Sequence, residues 1–199
     1  VGTNFTTKNG SYEFIVEGFY RHMKDLVTLK DGVYFTLDFS SWENILETKG
    51  TGEGKGIEVM ARKISGKTSG WIGATLSKST RQFETINFGK PYPFKFDRRW
   101  EVKMLVQHQL SKKIRISSTF AFATGNAFTL PQSQMTDHDG NLIFIYGERN
   151  NFREKPYHRL DVALNYALTL RKTKGSVDFS ILNIYNRQNP YYYYTANEK

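Results

Sequence analysis

Residues 157–170 read YHRLDVALNYALTL, with apolar Leu160, Val162, Leu164, Tyr166, Leu168 and Leu170 at the even positions and Arg159, Asp161, Asn165 and Thr169 between them. A helix repeats its apolar residues every three or four positions. Strict alternation at period two belongs to a strand whose two faces meet different surroundings. The same pattern recurs along the chain. In RRWEVKMLVQHQL, residues 98–110, Trp100, Val102, Met104, Val106 and Leu110 oppose Glu101, Lys103, Gln107 and Gln109. From Tyr12, the set Phe14, Val16, Gly18 and Tyr20 opposes Glu13, Glu17 and Arg21 in a strand running to about Leu26. Further strands are read in GKGIEVMARKI (54–64), SGWIGATLSKSTRQF (69–83), IRISSTFAFATGN (114–126) and SVDFSILNIYN (176–186).

These strands exceed the roughly five or six residues usual in globular sheets and approach the roughly 9–11 that a tilted strand needs to cross a bilayer. Their connections alternate in length. KNG at Lys8–Gly10, SGKTSG around Gly66, LSKK at Leu110–Lys113 and RKTKG at Arg171–Gly175 read as tight turns. Between them run long links, from about Thr28 to Gly52, from Glu84 to about Arg98, and from Asn126 to Pro156, each longer than a hairpin loop in a compact domain. Tight turns at one rim and long loops at the other are the rhythm of bacterial outer-membrane barrels.

Composition agrees with a membrane barrel and excludes other classes. The 199 residues include 12 Tyr and 15 Phe, too many large side chains for a disordered segment. No apolar run reaches the roughly 20 residues of a spanning helix, and the mean hydropathy is -0.54. A barrel strand hides only every second residue in lipid, so neither fact counts against a barrel. The formal charge is +9, but Lys63, Lys67, Lys112, Lys113, Arg171, Lys172 and Lys174 gather near the tight turns. A nucleic-acid groove needs cations interleaved with stacking aromatics on one face, so no nucleic-acid partner is expected. Tyr20, Trp71, Phe83, Trp100, Phe128, Tyr157 and Tyr185 fall near strand ends, where aromatic girdles sit at lipid headgroups. The chain has no Cys, and VGTNFTTKNG carries no signal-peptide pattern.

No catalytic, cofactor-binding or metal residue is expected from the sequence. His22, His108, His138 and His158 are scattered without zinc spacing. DHDGNLIFIYGE sets Asp137, Asp139, Asn141 and Glu148 at calcium-loop positions, but Leu142 stands where the loop's sharp turn needs Gly. A turn at HDGN followed by a short strand is the better reading. TGEGKG at Thr51–Gly56 lacks the full phosphate-loop pattern.

GWIGATLSKSTRQF, NFGKPYPFKFDRRW, FATGNAFTLP, NNFREKPYHRLDVALNY and NIYNRQNPYYYY, above all YHRLD, ATGN and NIYNRQNP, together resemble the C-terminal half of the barrel in TonB-dependent outer-membrane receptors of the type with an N-terminal carboxypeptidase-like regulatory domain. The resemblance runs over nearly all of the chain. It implies an all-β, antiparallel transmembrane β-barrel of about 22 strands closed by a plug. On that resemblance, residues 1–199 are expected to supply about seven to eight strands of the C-terminal barrel domain, with the plug domain and terminal strands expected to lie outside them. The implied function is energised uptake of a scarce solute, such as a siderophore, vitamin, glycan or peptide, across the Gram-negative outer membrane. The implied partners are the receptor's own plug, a TonB-type energy-coupling protein reached through the missing N-terminal segment, outer-membrane lipid and lipopolysaccharide, and a small-molecule or oligomeric substrate. Glu101, Lys103, Gln107, Arg159, Asp161 and Asn165 are the candidates to face the lumen or plug. No enzyme activity and no cofactor are expected. The alternatives are a passive porin and a soluble basic β-domain that binds an anionic polymer.

Overall fold

The computed structural model describes residues 1–31, 42–140, 142–171 and 173–193. Its frame is one nine-stranded antiparallel sheet. In chain order the strands are β1 (Gly2–Thr6), β2 (Tyr12–Leu29), β3 (Leu46–Lys63), β4 (Thr68–Gln82), β5 (Tyr92–Pro93), β6 (Trp100–Gln109), β7 (Ile114–Ala123), β8 (Ala127–Phe128), β9 (Pro131–Thr136), β10 (Leu142–Tyr146), β11 (Phe152–Arg153), β12 (Tyr157–Leu170) and β13 (Thr173–Ile181). The main sheet runs β1-β2-β3-β4-β6-β7-β12-β13, with β5 added beside β4. The pairs β9–β10 and β8–β11 are small ribbons within the longest link. Among the described residues, helix is confined to a four-residue turn, Trp42–Ile45, and a short 3-10 segment, Asn87–Gly89.

Register joins the alternating positions into continuous rows, because partners in an antiparallel ladder point to the same face. One row crosses the sheet as Phe5, Phe14, Ala61, Ile72, Met104, Phe120 and Leu160. Its neighbour runs Val16, Val59, Ala74, Val102 and Phe122. These apolar rows have no second layer over them among the described residues: Phe14 is 43% exposed and Ile72 47%. A water-soluble sandwich packs two such faces together, whereas the described residues leave these rows uncovered. The opposite face carries Glu13, Arg62, Trp71, Leu105, Thr119 and Asp161 in one row.

A small buried core lies instead among the links. Phe83, Ile86 and Tyr92 are buried together, with Leu26 of β2 packed against them. Ala123 and Ala127 are the other buried apolar side chains among the described residues.

The structure shifts several sequence expectations. Strand β2 continues past Leu26 to Leu29, and β3 begins eight residues before Gly54, at Leu46, so the first long link shortens to 30–45. Residues Thr173–Gly175 belong to β13 rather than to a turn, since Leu170 pairs Thr173 and the reversal is made at Arg171 with φ 54°. Lys172 lies outside the described residues. The aromatic girdle is thinner than expected. Trp71 and Tyr157 sit on the polar face, Phe83 is buried among the links, and Phe128 lies in a link ribbon stacked against Tyr193. Tyr20 and Trp100 remain on the apolar face.

Candidate functional site

All six residues singled out by the alternation occupy the polar face. Strand β6 presents Glu101 and Lys103 as an ion pair of 2.6 Å, and β12 presents Arg159 and Asp161 as one of 2.9 Å. Strand β7 runs between the pairs with small residues: Lys103 pairs Ala121, which pairs Arg159. Two strand spacings put the pairs about 10 Å apart across this shallow trough. Gln107 lies opposite Ser69 and Ser117, nearer the tight turns. Asn165 donates from Nδ2 to Asp178 Oδ1 at 2.7 Å.

Asp161 has a structural partner as well, because its Oδ1 accepts from Asn183 N–H at 2.8 Å. This bond begins the tie between the segment after β13 and β12. Ile184 N–H donates to the Leu160 carbonyl, and Asn189 grips the His158 backbone from both sides, accepting at Oδ1 and donating from Nδ2, each at 3.0 Å. His158 Nδ1 and Tyr185 Oη stand 2.8 Å apart. NIYNRQNP therefore extends the sheet with side-chain amides where regular pairing stops.

Across β2, β3, β4 and β6 the polar face opens into a concavity of about 430 Å³ bordered by Glu17, Glu58, Glu101, Lys103, Trp71 and Thr75. Glu17 and Glu58 are direct cross-strand partners, and the row continues through Thr75 to Glu101. The alternation singled out Glu101 as a site candidate and placed Glu17 on this face without singling it out, while Glu58 went unnamed although its alternation with Val59 puts it there too.

The long links converge on charges that the sequence did not single out. Asp97 is 1% exposed. Its carboxylate accepts from Ser79 N–H at 2.5 Å and Arg99 Nε at 2.7 Å, and it pairs with Arg153. Arg153 also donates to the carbonyls of Asp97 and Gly125. A Cβ on Gly125 would stand 1.9 Å from the Glu154 carbonyl oxygen, so ATGN needs glycine there to let the two link segments touch. Arg149 ties its own link to the end of β2 and to two other links, donating to Thr28 Oγ1, the Leu29 carbonyl and Asp31, while its own N–H donates to Asn87 Oδ1. Burial pushes the Tyr92 phenol above its ordinary value, and neighbouring Arg149 pulls it partly back.

No family model matches the chain, and no curated protein does. Among solved structures it is similar to the FrpB iron transporter from Neisseria meningitidis (F3-3 variant), with a TM-score of 0.58 and 16% identity. The sheet is part of a β-barrel wall. The match covers 94% of this chain and 26% of that one, so the chain spans about a quarter of the transporter's length. At this identity the likeness concerns the fold. Among the described residues, no three His, Asp or Glu side chains come together to hold a metal ion, and no helix is long and apolar enough to cross a membrane.

Proposed function

We propose that the chain forms part of the wall and external links of an energised outer-membrane importer, a TonB-dependent receptor of the type with an N-terminal carboxypeptidase-like regulatory domain. The observation that carries this reading is the single-layer meander with exposed apolar rows on one face, charged rows on the other, tight turns at one rim and long tied links at the other. The apolar face then meets outer-membrane lipid. The polar face, with Glu101, Lys103, Gln107, Arg159, Asp161 and Asn165, meets the plug or the solute path. The wall's work is binding and containment, with no catalytic step of its own, while a TonB-type partner supplies force through the plug.

The likeness to an iron transporter makes ferric chelates the first solutes to test. In cells that depend on the full-length protein, radiolabelled ferric-chelate uptake should stop when the gene is deleted, when the TonB-type partner is deleted, or when the proton gradient is collapsed. Uptake that survives loss of the gradient would assign the wall to a passive porin. A full-length protein recovered in the soluble fraction would remove the membrane reading.

A further inference from the structure

Toward the long links the polar face carries a second cavity, of about 540 Å³, bordered by Phe19, Arg21, Arg81 and Phe94, with Glu58 at its far end. Its floor is the backbone of β3 at Gly54, where an added Cβ would meet nothing within 4 Å. Arg21 and Ser79 are the cross-strand partners of Gly54. From the next row Arg81 crosses β3 above Gly52 to reach β2, its Nη1 3.1 Å from the Met23 sulfur, and its guanidinium carbon lies 4.3 Å from the Phe94 ring centroid. Met23 and Arg21 share one face of β2 about 7 Å apart, so two cations converge at this end of the cavity. The other end lies about 13 Å away along β3. There Glu58 stands directly opposite Glu17. Between the ends the Phe19 ring lies across Gly56, where a Cβ would stand 2.7 Å from Phe19 Cζ. Neither the two arginines nor the two carboxylates have an ion-pair partner among the described residues.

We infer that this cavity binds a zwitterionic peptide of about four residues, its C-terminal carboxylate on Arg21 and Arg81 and its N-terminal ammonium toward Glu17 and Glu58. The inference rests on the reading above, in which this face lines the solute path, and it names the solute class of that path. Two converging arginines without acids repel each other until an anion enters, and a guanidinium fork matches a carboxylate bidentately. The stacking of Arg81 on Phe94 holds that fork in place. At the opposite end, two unpaired carboxylates in direct cross-strand register repel in the same way. They reject a polyanion and select a ligand that carries a cation at that end. Opposite charges about 13 Å apart match the two ends of an extended chain of about four residues, at roughly 3.3–3.6 Å each. The Phe19 ring between the ends gives the peptide's side chains an apolar bed.

The test uses the full-length protein, purified in detergent, with isothermal titration calorimetry of tetra-alanine as the readout. Tetra-alanine should bind. Its C-terminal amide and its N-acetylated form should each bind about tenfold or more weakly, because each loses one charge-assisted contact. The R21Q/R81Q variant should weaken the free peptide by a similar factor and leave the amide unchanged. E17Q/E58Q should weaken the free peptide and leave the acetylated form unchanged. These crossed effects separate recognition of the two ends from a general loss of shape. Di-alanine should bind the parent as weakly as the amide does, because it cannot span both ends. A K112Q/K113Q variant in the tight turn after β6 should bind like the parent. Absence of tetra-alanine binding, equal binding of the free and amidated peptides, or equal binding of the free peptide by parent and R21Q/R81Q overturns the site while leaving the importer reading intact. A ferric chelate that binds in place of tetra-alanine and is weakened by R21Q/R81Q does the same. Absence of the full-length protein from the outer-membrane fraction overturns both.

Discussion

Asp97 and Arg153 stand 56 positions apart in the chain, yet they share an ion pair in the buried region where the long links meet. The carboxylate is held by Arg99 and by Ser79 N–H too, so this one side chain joins the link before β6, the end of β4 and the link before β12. A buried charge is tolerated only with such a full set of partners. The links are thereby fixed to the wall that carries them.

The lock should be worth far more than the exposed pairs on the polar face. Asp97→Ala in the full-length protein is expected to lower unfolding stability by about 2–4 kcal/mol, because it strands an amide and two guanidinium groups. Lys103→Ala, which breaks a largely exposed pair, should cost about 0–1 kcal/mol. Urea unfolding in lipid vesicles reads both. Similar losses would mean that the links are not anchored through Asp97.

The two faces should respond differently to charge. Met104 lies between Ile72 and Phe120 in an apolar row. Met104→Arg should cost about 2–4 kcal/mol if it lies near the bilayer midplane. Gln107→Arg, opposite Ser117 on the polar face, should cost little. Vesicle insertion and unfolding of the two variants compare the faces directly, and equal penalties would refute their assignment.

Topology is open to labelling on intact cells. Gln134 lies in β9 of the longest link, and Lys112 lies in the tight turn between β6 and β7. With cysteine at either position, an impermeant thiol reagent should modify the first and spare the second. The reverse pattern would invert the barrel and put the long links in the periplasm.

Tyr92 supplies a pH signature for the link core. Its folded phenol holds a proton more tightly than an unfolded one, chiefly through burial. The resulting stability is complete below the ordinary value of about 10 and is lost as pH rises through the folded value. The denaturation midpoint should therefore fall in strongly alkaline solution, and Tyr92→Phe should flatten that fall. An unchanged slope in the variant would show that another group titrates.

Strand identity, the two faces and the alternation of turns and links were legible in the sequence because they rest on local geometry. Successive side chains of a strand point to opposite sides whatever lies around them, so YHRLDVALNYALTL defines β12 from Tyr157 to Leu170 by itself. The same parity already put Trp71, next to Ile72, on the polar face, but its nearness to a strand end suggested a girdle. The turn at 171–175 was misjudged for a related reason. Glycine marks a turn in sequence, whereas cross-strand pairing carries β13 back to Thr173 and leaves the reversal to Arg171. Only tertiary structure could decide the partners of Asp97, Arg149, Asn183 and Asn189. Their bonds depend on where distant links return to the sheet, which no local periodicity encodes. The convergence of Arg21 and Arg81 likewise came from register: each reads singly as an ordinary surface cation, and only the ladders that β3 makes with β2 and β4 bring them to one cavity.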